Sequence, residues 1–261
     1  MESTPVCPMN GGDSLYSYFK NSSFQRKAID AAKDLIHKAI SEKLDIHTLS
    51  SSSIFNIVDL GCSVGPNTFL SVQNIIDSIE LKCQSHGKPF QFPEFLVFFS
   101  DQTLNDFNQL FQSLPPERPF FATGLPGSFH GRLFPSASLH FVHSSYALQY
   151  LSEVPKEVVD KSSPAWNKER VSYTNASDEV VKCYEAQFSK DIERFLAARA
   201  QELVEGGLMA LVIPGRFHGT LHFGIIATDL IESCLIEMAN KVRKNNIFRR
   251  NLIYLITYQD I

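Results

Sequence analysis

Three features of the sequence predict an α/β fold with a parallel sheet flanked by helices. Short apolar runs alternate with longer stretches of helical periodicity. The first apolar run ends in an aspartate and a glycine loop that leads straight into a helix. The chain has 261 residues, 44% of them hydrophobic, and 21 phenylalanines, enough to bury one continuous aromatic-rich core.

Residues 1–13 are polar and glycine-containing, and read as a mobile arm. Over 24–40, Phe24, Ala28, Ala31, Leu35 and Ala39 share one helical face. Residues 50–53, all serine, form a loop. Residues 54–60 (IFNIVDL) form a buried parallel strand that stops at Gly61. Helical periodicity resumes over 67–81. A second strand over 95–100 precedes a helix over 105–114, which Pro115, Pro116 and Pro119 break. Residues 139–143 form another strand, and 155–175 are a polar excursion from the main domain. A helix over 178–205 stops at Gly206-Gly207, a strand follows over 208–213, and a last helix covers 223–240. Beyond it, NLIYLITY (251–258) is β-prone.

Charge narrows the partners. With 24 basic and 28 acidic residues the net charge is −4, which gives no electrostatic reason to bind nucleic acid or an anionic membrane. The five cysteines are odd in number and form no CxxC pair, as expected of reduced thiols in a cytoplasmic protein. No signal peptide and no membrane-spanning run is visible. His218 and His222 have the spacing of helical metal ligands, but Gly219 disfavours helix and no third ligand is near, so zinc is not assigned.

The most informative loop is VDLGCSVGPNT (58–68). Gly61 has no Cβ and lets backbone approach a ligand. Asp59 is placed to accept hydrogen bonds from an ammonium group or from loop N–H groups. Asn67 stands at the helix start, where capping is the alternative role. The glycines are spaced Gly61-x-x-x-Gly65, which is not G-x-G-x-x-G and argues against a nicotinamide-dependent dehydrogenase. A D-x-G loop after the first strand is the usual pattern of S-adenosylmethionine-dependent methyltransferases; a strand-to-helix turn with no ligand is the alternative. Asp101 closes the second apolar run (FLVFFSD). A carboxylate there can accept both hydroxyls of a ribose, or it can cap the helix expected from Asn105.

Several motifs together go further: MNGGDSLYSYFKNSSFQRK (9–27), VDLGCSVGPNT, SDQTLNDFN (100–108), GLPGSFHGRLFP (124–135), LHFVHSSYALQYLSEVP (139–155) and ARAQELVEGG (198–207). In content and order they resemble the plant SABATH methyltransferases, over about residues 9–240. The resemblance implies a Rossmann-like class I methyltransferase sheet with a partial helical cap, S-adenosylmethionine as cofactor, and a small carboxylic acid as substrate. It implies that Tyr18 and Ser22 close over the cofactor, and that Asp59, Gly61, Cys62 and Asn67 hold its methionine part. Asp101 then takes the ribose, and Ser128 and Phe129 flank the adenine. Gln25 binds the substrate carboxylate, and Tyr146, Gln149 and Tyr150 supply an aromatic wall and a carboxylate tether. Read without the resemblance, Tyr146 and Tyr150 are core residues four apart on a helix, Cys62 is a small buried filler, and Gln25 is an ordinary polar helix residue.

The sequence departs from the family in three places. Gln102 replaces an apolar residue that many relatives hold against the adenine. Tyr150 stands where many have tryptophan. After about residue 240 the family pattern is lost, in a region that supplies final strands, part of the acid pocket and most of a Mg²⁺ site. Only Asn167 matches a metal position, and one neutral amide oxygen does not hold Mg²⁺. The expected organisation is a methyltransferase domain over 1–240, with cap segments at about 155–180 and 215–240, and a divergent tail over 241–261. The expected activity is esterification of a small organic acid's carboxylate. The alternative is a cofactor-binding homologue, weak or inactive, that acts as a regulatory or dimer partner. Homodimerisation, or pairing with a full-length homologue, is the implied assembly.

Overall fold

The structure, a computed structural model, describes residues 8–45, 53–85, 93–168, 170, 172–173, 175–215 and 223–244, with side chains described throughout except at 223–227 and 242–244. Cys7, most of the serine loop, the His218/His222 pair and the β-prone segment 251–258 lie outside the described residues. Two compact units divide the chain, one within 5–148 and 194–213, the other within 149–193 and from 214 onward.

The first unit holds a five-stranded parallel sheet in the order β3-β2-β1-β4-β5. Its strands are β1 (Ile54–Leu60), β2 (Glu94–Asp101), β3 (Phe120–Pro126), β4 (Leu139–Ser145) and β5 (Leu203–Val212). Its helices are α1 (Tyr18–Asn21), α2 (Ser23–Lys43), α3 (Pro66–Ser85) and α4 (Phe107–Gln112), and α5 (Asp178–Glu202) enters it at Arg194. Strands β1 to β3 are added in one direction, then β4 returns to the other side of β1. The order therefore reverses between β1 and β4, where Val58 pairs with both Phe98 and Val142. In open parallel sheets, ligands bind outside the carboxyl ends of the strands at such a reversal.

β1 is buried from Ile57 to Leu60, and Ile57 lies in the core that it shares with the helix following β1. α3 begins with Pro66, whose missing N–H costs nothing at the first helical position, and buries Phe69, Val72, Ile75, Ile76 and Ile79. α2 packs on α3, but not through the face that the sequence suggests. Phe24 is 60% exposed and Leu35 is 71% exposed, whereas Ile29 and Ile40 are buried and Ile36 packs against the core. The buried stripe runs one residue further round the helix, through isoleucines at i, i+7 and i+11.

Other expectations change as well. β3 occupies a stretch to which the sequence reading assigns no element; it contains Gly124 and ends at Pro126. Both are tolerated on an edge strand, and a Cβ on Gly124 would meet the ring of Phe111 at 2.9 Å. The helix expected over 105–114 is only Phe107–Gln112, and its N-cap is Asp106, whose Oδ1 accepts from the Gln109 N–H at 3.0 Å. Gly206-Gly207 does not stop α5. The helix ends at Glu202 and both glycines sit inside β5, Gly206 with φ +74°, where the register with β4 shifts between Leu139 and Phe141. The arm is not free throughout, since the Gly12 N–H donates to Asp106 Oδ2 at 2.9 Å and the Asn10 carbonyl accepts from Tyr18 N–H at 2.9 Å.

The second unit contains a 3₁₀ turn (Lys156–Val158), the first part of α5 and α6 (Phe223–Lys244). Val158, Ala165, Val180 and Tyr184 form its core, with Tyr173 stacked on Tyr184 at 4.7 Å. Buried Asp191 on α5 accepts from both the N–H and the hydroxyl of Ser152, at 2.8 and 2.6 Å. No described helix is long and apolar enough to cross a membrane.

The α2 face can be checked directly. Ile40→Ala should cost about 2–5 kcal/mol, because it empties a fully buried site. Leu35→Ala should stay within about 0.5 kcal/mol. Urea unfolding of the two variants distinguishes this face from the one centred on Leu35.

Candidate functional site

The carboxyl ends of β1, β2 and β4 meet around one turn. Gly61 follows β1 with φ +80°, a conformation that strains any residue with a side chain. Its N–H and that of Cys62 both donate to the Ser100 carbonyl on β2, at 2.8 and 3.1 Å. Ser63, with φ +52°, donates its N–H to Asp101 Oδ2 at 2.7 Å. On the opposite side, a Cβ on Gly61 would collide with the Cβ of Ala147, just past β4. The turn is thus stitched to β2 and pressed against the β4 exit.

Asp59 is buried one residue inside the end of β1. It accepts from the Thr68 hydroxyl of α3, and its Oδ1 lies 2.8 Å from His143 Nδ1 of β4. No loop N–H reaches it among the described bonds. His143 is 1% exposed, so both members of this pair are out of water. His143 lies within the LHFVHSSYALQYLSEVP motif, where sequence alone gives it no role. The strict alternation of strand faces does not reveal it, because every residue of β4 up to Ser144 is buried.

Asn67 is not the cap of α3. It lies inside the first turn, and its amide donates to the Ser22 carbonyl at 3.0 Å, tying the arm to the loop. Gly65, with φ +106°, lets the ring of Phe19 approach, since a Cβ there would lie 2.8 Å from Phe19 Cδ2. Ser22 is buried and Tyr18 half-buried against the core. Cys62 is buried with a free thiol, which burial holds well above its ordinary pKa.

Asp101 is half-buried, and burial pushes its pKa up to about 6 against the lowering effect of the N–H groups of Ser63 and Gln102. The Gln102 N–H reaches Oδ1 at 2.7 Å, so each carboxylate oxygen has one N–H donor. Asp101 caps no helix, because Asp106 has that role in α4. Near these groups, buried hydroxyls of Ser63, Ser100 and Ser145 and the Oε1 of Gln25 have no hydrogen-bond partner. An unpartnered buried polar atom is costly unless a ligand satisfies it.

Ser128 is exposed and Phe129 half-buried in the loop after β3, with the Phe129 ring edge-on to Phe195 of α5 at 6.2 Å. Tyr146 and Tyr150 are not on a helix. Residues 146–150 form a turn, Tyr146 has φ +55°, and its N–H continues the sheet ladder to the Val212 carbonyl at 2.9 Å. The Tyr146 ring meets Phe24 edge-on at 5.8 Å. Gln149 and Tyr150 are half-buried in the second unit. There, Asn167 donates its amide to the Ser172 carbonyl at 3.2 Å, while the carboxylate of Glu232 is held by Arg170 at 3.0 Å. Among the described residues no group of three or more His, Cys, Asp or Glu is placed to hold a metal ion. Among the described residues, Asn167 and the arginine-paired Glu232 do not by themselves supply the oxygen set that Mg²⁺ takes.

Comparison with known proteins gives a consistent result. A family model described as SAM-dependent carboxyl methyltransferase matches residues 4–248. A loganic acid O-methyltransferase of Catharanthus roseus is 51% identical over 90% of this chain and 64% of its own length. A farnesoic acid carboxyl-O-methyltransferase of Arabidopsis thaliana is 47% identical over 89% of this chain and 67% of its own. A solved loganic acid methyltransferase with S-adenosylhomocysteine superposes with a TM-score of 0.85, at 50% identity, over 90% of this chain and 67% of that one. The chain thus spans about two thirds of the length of these relatives, 64% for the first.

The raised pKa of Asp101 has a measurable consequence. An acid that is harder to ionise in the folded chain contributes most below its unfolded value of 3.8, and that contribution is lost as pH rises to about 6. The loss is at most about 3 kcal/mol. Without ligand, the stability of the wild type relative to Asp101→Asn should fall between pH 4 and 6 and level off above 7. Urea unfolding across that range measures it; a difference that stays constant with pH removes the buried-carboxylate account.

Proposed function

The chain belongs to the S-adenosylmethionine-dependent carboxyl methyltransferases, and we propose that it transfers a methyl group from S-adenosylmethionine to the carboxylate of a small organic acid, giving a methyl ester. The observation that carries this reading is the half-buried Asp101 carboxylate beside a Cβ-free turn at the sheet's reversal point. Two vicinal ribose hydroxyls fit such a bidentate acceptor. The unpartnered hydroxyls of Ser63 and Ser100 offer further donors and acceptors for a polar ligand. We assign Asp101 to the ribose, Ser128, Phe129 and Gln102 to the adenine, and Gly61, Cys62 and Asn67 to the methionine part. Asp59 acts with them, and Tyr18 and Ser22 bring the arm over the ligand.

S-adenosylmethionine, when bound, supplies an electrophilic methyl group. The chain's own task is to orient and dehydrate the acceptor. A carboxylic acid with a reference pKa of about 4 is already ionised at neutral pH, so no residue has to remove a proton. Gln25 and Tyr150 serve as neutral donors that aim the carboxylate, with Tyr146 and Gln149 beside the acid's body. Such alignment can supply up to roughly 7–11 kcal/mol in well-oriented systems. Excluding water from an attacking oxygen adds to this. The acids named for the relatives, loganic and farnesoic, are the first acceptors to try.

Titration with S-adenosylhomocysteine tests the ligand assignment. Asp101→Ala should lose about 2–4 kcal/mol of affinity. If the ionised carboxylate is the form that binds, wild-type affinity should also fall about fivefold between pH 6 and 5, and Asp101→Asn should lack that dependence. Unchanged affinity in the alanine variant would falsify the ribose assignment. For the acceptor, mass spectrometry of the product should find a methyl ester. An ether or an N-methyl product, with no ester, rejects the carboxylate as acceptor.

A further inference from the structure

The motif ARAQELVEGG has no role in the assignments above, yet it contains the most completely buried ion pair among the described residues. Arg199 and Glu202, near the end of α5, are both 0% exposed, with Arg199 Nε 2.7 Å from Glu202 Oε2. Neither charge is spent on the other alone. Arg199 Nη1 donates to the Phe129 carbonyl at 3.0 Å and Nη2 to the Gly131 carbonyl at 2.8 Å. Glu202 Oε1 accepts from the N–H groups of Leu133 and Phe134 at 2.6 and 3.0 Å. The guanidinium lies 5.1 Å from the Phe195 ring centroid, and that same ring meets Phe129 edge-on.

All four backbone groups belong to one loop, PGSFHGRLF, which leaves β3 and has little regular structure of its own. A loop's polar backbone normally turns to water. Here a buried pair replaces water on both carbonyls and both N–H groups, and fixes the path from Phe129 to Phe134. Burying two charges is rarely the most stabilising choice, since apolar replacements of similar volume often do as well or better. The planar fork of arginine does supply geometry, matching two carbonyls that ordinary packing would leave unfixed.

We propose that Arg199 and Glu202 are positioning residues for adenine recognition: they pre-shape the 126–134 loop so that Ser128 and Phe129 present a ready-made adenine edge. This rests on the reading in which those two residues flank the adenine. Pre-shaping lowers the ordering cost of binding, so its loss appears as reduced affinity for the adenine part of a ligand.

The test compares two ligands on the full chain by calorimetry: S-adenosylhomocysteine, and S-ribosylhomocysteine, which lacks the adenine. The variants are Arg199→Lys, which keeps the charge and loses the fork, and Glu202→Gln, which keeps an acceptor and loses the ion pair. Each should bind S-adenosylhomocysteine about tenfold more weakly while binding S-ribosylhomocysteine within about twofold of wild type. Hydrogen exchange at 127–134 should rise without ligand and leave β1 and β2 unchanged. A purely structural role moves the melting temperature and leaves the ratio of the two affinities as in wild type, and that result overturns the proposal. If one variant fails to fold, the other decides. If the wild type itself does not bind S-adenosylhomocysteine, the cofactor reading fails and takes this proposal with it. An unchanged ratio with a binding wild type rejects only the proposal.

Discussion

The turn after β1 has to pass between two fixed walls. On one side the Ser100 carbonyl and the Asp101 carboxylate take the N–H groups of Gly61, Cys62 and Ser63. On the other, Ala147 leaves no room for a Cβ. Only a glycine in the left-handed region meets both conditions. Because the turn is held this way, α3 starts where it does, and Thr68 and Asn67 reach Asp59 and the arm. Every residue assigned to the methionine part lies on this turn or within a few positions of it. The sheet order matters for the same reason: the squeeze exists only because β4 crosses back to pack beside β1.

Much of this was legible. The Asp59–Gly61 loop, the acid at the end of β2 and the parallel sheet all follow from apolar runs punctuated at fixed places. What was hidden shares a physical character. β3 carries Gly124 and Pro126, residues that ordinarily mark turns, and only its edge position makes them acceptable. On α2, Phe24, Leu35 and three alanines form a second stripe that sequence periodicity does not distinguish from the isoleucine stripe. Packing against α3 chooses between them, and that is a tertiary fact. The glycine pair at 206–207 looked like a helix stop, yet the helix already ends at Glu202, whose carboxylate is committed to the 126–134 loop. Nothing local in the sequence indicates that Arg199 and Glu202 point inward.

The buried ionisable groups solve their common problem differently. Arg199 and Glu202 are partnered by each other and by backbone, with every nitrogen of the guanidinium and both oxygens of the carboxylate engaged. Asp59 is engaged on both oxygens by Thr68 and His143. Asp101 has one N–H per oxygen and remains hard to ionise. A group left in that condition gains from an added donor, whereas a saturated one does not. The site is therefore marked less by where charge is buried than by where burial remains under-compensated.

The meeting of Phe19 and Gly65 has a consequence for how such a chain can change over generations. The aromatic ring occupies the space that any side chain at 65 would need, and Gly65 adopts a φ that side chains resist. The two positions therefore form one heritable character rather than two. A smaller residue at 19 is the precondition for anything but glycine at 65, and reversing that order passes through a broken intermediate. Since Asn67 fastens the Ser22 carbonyl three residues downstream of Phe19, the penalty would spread into the arm itself. Lineages of this fold are expected to drift at the exposed Leu15 and Tyr16 while holding the 19/65 pair together.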